Sequence, residues 1–166
     1  AEVIVPITGQ AGIFQISPTV TSMAFYGKDD NFFRINRTTR DNAQEYAKIM
    51  VGRGQRNIAV AYDLRNRNFA ESWLNEFRTA IAAEQAAIAV ALPYESAADT
   101  DFARIVGEML AVQPDALFFI SGALDVARFA QAARTVPPSP PTPPPPSPPT
   151  PPPPHPPTHH HKNILI

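Results

Sequence analysis

The sequence predicts an α/β fold: a Rossmann-like parallel sheet with flanking helices, followed by a disordered or polyproline II tail. Three observations carry this. The apolar runs Ile58–Tyr62, Ile88–Leu92 and Ala116–Ile120 begin 30 and 28 residues apart, which is the interval of a βαβ unit. Each run is continuously apolar rather than alternating, as in strands covered on both faces. The segments between them carry apolar residues at helical spacing.

The elements follow in chain order. Glu2–Gln10 reads as a short helical or loop segment, Ile13–Ile16 as a strand, Ser17–Ser22 as a Ser/Thr loop and Phe32–Ile35 as a second strand. These two strands find no partner in their own neighbourhood and are expected to belong to another sheet, most of it upstream of Ala1. The first residue is not Met and Ala1–Pro6 reads as the inside of an element, so the start is expected to be a cut within a larger protein.

A helix over roughly Asp41–Val51 places Ala43, Tyr46, Ala47 and Met50 on one face, and is expected to stop at Gly52 or Gly54, where a left-handed residue costs little. The next helix carries Phe69, Trp73, Phe77 and Ile81. The one after it carries Phe102, Ile105, Val106, Met109 and Leu110, with Asp99 or Thr100 as its N-cap. Pro114-Asp115 turns into the third strand, and a last helix spans about Leu124–Arg134. Trp73, Phe77 and Phe102 are expected in the core.

Composition excludes several classes of function. Sixteen of the 20 prolines lie between Pro137 and Pro157, so only residues 1–136 can bury a core. That part holds 13 basic and 15 acidic residues with no basic block, which gives no nucleic-acid or anionic-membrane surface. No apolar run approaches the roughly 20 residues of a membrane helix. There is no Cys, and the four His (His155, His159, His160, His161) all lie in the tail. Histidine acid–base catalysis and His/Cys zinc sites are thereby excluded from residues 1–136. No glycine-rich phosphate loop or Gly-x-Ser-x-Gly elbow is present, and no cofactor or metal is expected.

In an open parallel sheet the ligand crevice lies beyond the carboxyl ends of the strands. Here that edge is formed by the loops Asp63–Asn68, Pro93–Asp99 and Ser121–Ala123. The first offers a carboxylate, two guanidinium groups and two amides, suited either to a charged small molecule or to capping the next helix. The Ser17–Ser22 loop offers four hydroxyls and several backbone N–H groups. Such a loop suits a carboxylate ligand, or a turn held by its own hydroxyls.

The runs Ile16-Ser17-Pro18-Thr19-Val20-Thr21-Ser22, Phe32–Ile35, Ile58–Asp63, Asp101-Phe102, Gln113–Phe119 and Gln131–Arg134, in this order and spacing, resemble the periplasmic leucine/isoleucine/valine-binding protein family. The resemblance implies part of a two-lobed, hinged receptor that closes on an amino acid or related carboxylate and hands it to an ABC importer. It implies a periplasmic or extracellular location and no enzymatic activity. Residues 1–36 would be the end of the first lobe and the approach to the hinge, residues 37–136 the first part of the second lobe, and 137–166 a proline-rich tail. The family's Ser-Pro-x-x-Thr loop, which grips the ligand's carboxylate and amino group, maps onto Ser17, Thr19, Val20 and Thr21. Two departures stand out. Arg67 occupies a place where branched-chain binders tend to have an aromatic residue, and Ser121-Gly122-Ala123 replaces a Gly/Tyr-rich loop. Arg67 and Ser121 join the ligand-binding candidates, and Arg67 would suit an additional acidic group rather than leucine or valine.

The expected partners are a small-molecule ligand and an ABC permease. A receptor signalling module is the alternative, as is a fragment that binds nothing because its cleft is incomplete. The tail repeats Ser-Pro-Pro-Thr-Pro-Pro-Pro-Pro-like units. It would reach about 75 Å at roughly 3.1 Å per residue. Its readings are a stalk, a docking segment for a proline-recognising domain, or the product of a shifted reading frame.

Overall fold

Two parallel sheets organise residues 1–136, which are the residues the computed structural model describes; the readings of the proline-rich tail fall outside them. The first part contains helix α1 (Ile4–Gln10) and strands β1 (Gln15–Ser17) and β2 (Phe32–Arg34). β1 and β2 pair with each other in parallel, Gln15 opposite Phe32 and Ser17 opposite Arg34. This corrects the expectation that they lack a local partner: the long Pro18–Asn31 connection gives the chain room to return in the same direction. They do form a sheet separate from the next one.

Helix α2 (Thr39–Gly52) begins in a capping box. The Thr38 hydroxyl accepts from the Asp41 N–H, and the Asp41 carboxylate accepts from the Thr38 N–H and hydroxyl. The same bonds hold the Asp41 carboxyl below its ordinary range, with the Thr38 hydroxyl the larger cause. Replacing Thr38 by Ala is expected to cost about 1 kcal/mol, read as a lower urea midpoint at unchanged slope. At its other end α2 closes in a Schellman motif. Gly54, at φ 81°, donates to the Val51 carbonyl and Gln55 donates to that of Met50.

The second sheet has the order β4-β3-β5, with β3 (Asn57–Asp63) in the middle, β4 (Ala87–Tyr94) and β5 (Ala116–Ile120) on either side, and all strands parallel. Helix α3 (Arg67–Ala83) connects β3 to β4, α4 (Phe102–Ala111) connects β4 to β5, and α5 (Ala123–Thr135) follows. Only β3 matches the expectation of burial on both faces, with Ile58 to Ala61 fully buried. β4 and β5 are edges among the described residues, and apart from the buried Tyr94 and Ile120 at their ends their apolar side chains are at most partly covered.

The alternation along β3 separates two cores. Ile58 and Val60 join Ala43, Ala47, Leu74 and Phe77 of α2 and α3 on one face. The smaller Ala59 and Ala61 leave room on the other for Ile105, Val106, Met109 and Phe129 of α4 and α5. Each face is completed by a stacked ring pair, Phe77 on Phe118 and Phe119 on Phe129, both at 4.5 Å between centroids.

Two local expectations are corrected. The cap of α4 is Asp101, whose carboxylate accepts from the Arg104 N–H at 2.9 Å, because Thr100 is engaged with Ala97 and Glu95 in the preceding turn. On α3 the buried stripe runs through Ala70, Leu74, Phe77, Ala80 and Ile81. Phe69 is 43% exposed and Trp73 half-buried, since the stripe is centred one position away from the large residues.

Candidate ligand cleft

The strand order places a topological switch at β3: its connection to β4 runs over one face, and the return to β5 runs over the other. Loops diverge at such a point and leave a crevice beyond the carboxyl ends of the strands. A groove of about 430 Å³ lies there, lined by Asp63, Arg65, Asn66, Phe69, Ala70, Ile120, Ser121 and Gly122. It shares Asn66 and Phe69 with a second cavity, of about 390 Å³, that opens toward the first sheet. There Thr19, Val20, Thr21 and Ser22 face Asn66, Asn68, Phe69 and Ser72 of α3 and its approach, with Phe25 and Thr39 behind and Ala1–Val3 at the rim.

The Ser/Thr loop is shaped from inside. Ser17 Oγ accepts from the Val20 and Thr19 N–H groups at 3.2 and 3.4 Å, so Ser17 holds the turn and is not among the lining residues. The buried Thr39 ties the loop to α2: its N–H donates to the Thr21 carbonyl at 2.8 Å, and its hydroxyl lies 3.0 Å from Thr21 Oγ1. That leaves the Thr21 O–H able to donate into the cavity. No lysine or arginine lines this cavity. Its one charged side chain is that of Glu2, whose carboxylate accepts from the Asn68 amide at 3.5 Å.

Charge in the neighbouring groove is compensated internally. Asp63, at the end of β3, accepts from Arg65 Nε and N–H at 3.0 Å each, and from the Ser96 N–H at 3.2 Å. Burial pushes the Asp63 carboxyl up, but the bonds from Arg65 and Ser96 together hold it below its ordinary value. Arg65 also lies 3.8 Å from the buried Asp125. Tyr94 donates to Asp125 at 3.0 Å and contacts the Ser121 hydroxyl. Burial first, and then the adjacent carboxylate of Asp125, push the Tyr94 phenol well above its ordinary range.

Of the sequence candidates, Thr19, Val20 and Thr21 line one cavity and Ser121 lines the adjoining groove. Arg67 lines neither; it is exposed and pairs with Glu71 one helical turn along α3, at 3.2 Å. Phe69, read from the sequence only as part of a helical apolar repeat, and Thr39, not singled out, also belong to the cavity. The offset of Phe69 from the buried stripe of α3 is a signal that could have placed it there.

A Ser/Thr loop from one parallel sheet facing the switch point of a second defines an α/β protein with a cleft between two sheets. The family model "Periplasmic binding protein" matches residues 1–138, and the chain belongs to that family. Among solved structures it is similar to an ABC transporter substrate-binding protein from Desulfitobacterium hafniense, with 20% identity over 82% of this chain and 41% of that chain, TM-score 0.65. It is also similar to a leucine-binding protein from Thermotoga maritima, with 17% identity over 80% and 37% of the two chains, TM-score 0.70. A third is an ABC transporter solute-binding protein from R. palustris in complex with benzoate, with 18% identity over 82% and 39%, TM-score 0.65. The chain thus spans about two fifths of the length of these structures, and at these identities the likeness is one of fold. No curated protein sequence matches it. Among the described residues no helix is long and apolar enough to cross a membrane.

Proposed function

We propose that this chain is part of an extracytoplasmic receptor that binds a small solute, an amino acid or related carboxylate, for delivery to an ABC importer. Residues 1–36 contribute the end of its first lobe, and residues 37–136 the first part of its second. The observation that carries the reading is the cavity between the Thr19–Ser22 loop and the Asn66/Asn68 amides, with neutral donors inside and one carboxylate at the rim. Hydroxyl and amide donors suit a ligand carboxylate, while Glu2 suits an ammonium group. Its volume of about 390 Å³ lies within the range of small-molecule sites. The similar structures named as ABC transporter components support import over a sensory role. The reading is one of binding without catalysis.

A thermal-shift screen against amino acids, dicarboxylates and aromatic acids tests this, run on the chain and on the chain joined to a complete second lobe. A raised midpoint with an amino acid or carboxylate is expected. No shift in either form would remove the ligand class. In the binding form, Thr21→Ala is expected to weaken affinity by about 1–3 kcal/mol, the loss of one hydrogen bond to a charged group. Titration calorimetry measures it, and Arg67→Ala should change affinity less than Thr21→Ala does.

A further inference from the structure

A hydrogen-bonded chain of three side chains lies beyond the carboxyl ends of β4 and β5. Tyr94 at the end of β4 and Asp125 in the first turn of α5 are buried, and Ser121 between β5 and α5 is half-buried. The Tyr94 hydroxyl touches both of the others, Asp125 Oδ2 at 3.0 Å and the Ser121 hydroxyl on its other side. Arg65 and Arg128 flank the Asp125 carboxylate at 3.8 and 3.9 Å.

Counting protons fixes the direction of both bonds. An ionised carboxylate has no proton to give, whereas a phenol and a serine hydroxyl have one each. Two buried oxygens 3.0 Å apart need a proton between them, because facing lone pairs repel, so the Tyr94 proton lies toward Asp125. Burial, which pushes the Tyr94 phenol well above its ordinary range, keeps that proton in place. With it spent, the other bond runs from the Ser121 O–H to Tyr94 Oη. Ser121 then has no proton left to donate, and its remaining lone pairs serve the groove that it lines with Asp63, Arg65 and Asn66.

We infer that Asp125 and Tyr94 are positioning residues that make Ser121 an acceptor, and that Ser121 thereby recognises a hydroxyl or ammonium donor on the part of the ligand lying in the groove. The inference rests on the binding function proposed above and narrows its ligand class. In the adjoining cavity Thr21 can donate, and Asn66 and Phe69 line both spaces. A carboxylate at the hydroxyl loop and a donor near Ser121 are thus met by groups of opposite hydrogen-bonding polarity. The ligand class is a carboxylate that carries a second, hydrogen-bond-donating group on its side chain.

The test begins with the full chain, without ligand, in an equal mixture of light and heavy water. A serine hydroxyl held as a donor exchanges slowly, and its Cβ carbon gives separate NMR lines for the protonated and deuterated forms. A hydroxyl free to the groove gives one averaged line. Two lines are expected for Ser121 in the native chain and one in Tyr94→Phe, which keeps the ring in the core. One line in the native chain, or two lines in both chains, would overturn the relay. Selectivity is read by titration calorimetry on the chain joined to a complete second lobe, with γ-aminobutyrate and succinate as probes. These have equal length, and their far ends donate and accept respectively. Tyr94→Phe is expected to shift the ratio of the two affinities about tenfold toward succinate, because the released Ser121 O–H can then meet a carboxylate. A ratio unchanged by the substitution would overturn the role given to Ser121. Failure of both probes to bind would count against the ligand class of the proposed function, while the Ser121 line pattern, recorded without ligand, still decides the relay.

Discussion

Replacing Phe77 by Ala is expected to destabilise the fold by about 3–5 kcal/mol, a large share of what a domain of this size can hold. Phe77 is fully buried, stacks on Phe118 at 4.5 Å, and packs with Leu74, Ile58, Val60, Ala43 and Ala47. Its removal takes away both the transfer free energy of the ring and the contacts of its neighbours. The rigid β3 backbone, hydrogen-bonded on both sides, cannot collapse into the space. Urea unfolding measures the loss as a lower midpoint at unchanged slope. Phe69→Ala provides the contrast, because Phe69 lies eight residues earlier on the same helix but is 43% exposed in the cavity. It should leave stability close to that of the native chain and reduce ligand affinity instead. Equal destabilisation by the two substitutions would contradict this division between core and site.

Replacing Asp63 by Ala is expected to cost about 2–3 kcal/mol at neutral pH. One buried carboxylate here accepts from two backbone N–H groups and a guanidinium, and its loss leaves the Arg65 and Ser96 N–H groups without that acceptor. The folded-state pKa lies below the ordinary value of 3.8. A carboxyl lowered on folding stabilises above its unfolded-state pKa, and loses that contribution as pH falls through the folded-state value. The stability gap between the native chain and Asp63→Ala should therefore be full at neutral pH and shrink with acidification below the ordinary carboxylate range. A gap that stays constant down to that range and through it would remove Asp63 from this role. Because Asp63 ties the loop after β3 to the loop after β4, the same substitution should loosen the groove containing Ser121.

The relation between sequence and site is clearest at the residues read differently in the two. Apolar runs at 28- to 30-residue spacing were enough to locate β3, β4 and β5, because parallel strands joined by helices impose that interval. They did not reveal that β4 and β5 are edges among the described residues, since continuous apolarity reads alike in a strand covered on both sides and in one covered on only one. Ser17 and Thr21 are both hydroxyl residues of one loop, yet one holds the turn and the other faces the cavity. Arg67 carries charge at the right place in the sequence, but helix geometry sets it beside Glu71. Arg65, two residues earlier, instead meets Asp63 and Asp125.

Local chemistry along the chain thus determined the parallel α/β architecture, the helix boundaries to within a few residues, and the hydroxyl loop as a ligand candidate. These depend on periodicity and on residue types within a turn or two of one another. Only the tertiary structure decided that β1 pairs with β2, that β3 is the buried centre, and that Thr21, Asn66, Asn68 and Phe69 share one cavity. Those outcomes depend on which side of β3 each crossover returns, and a strand's side chains look the same from either neighbour until the sheet is assembled.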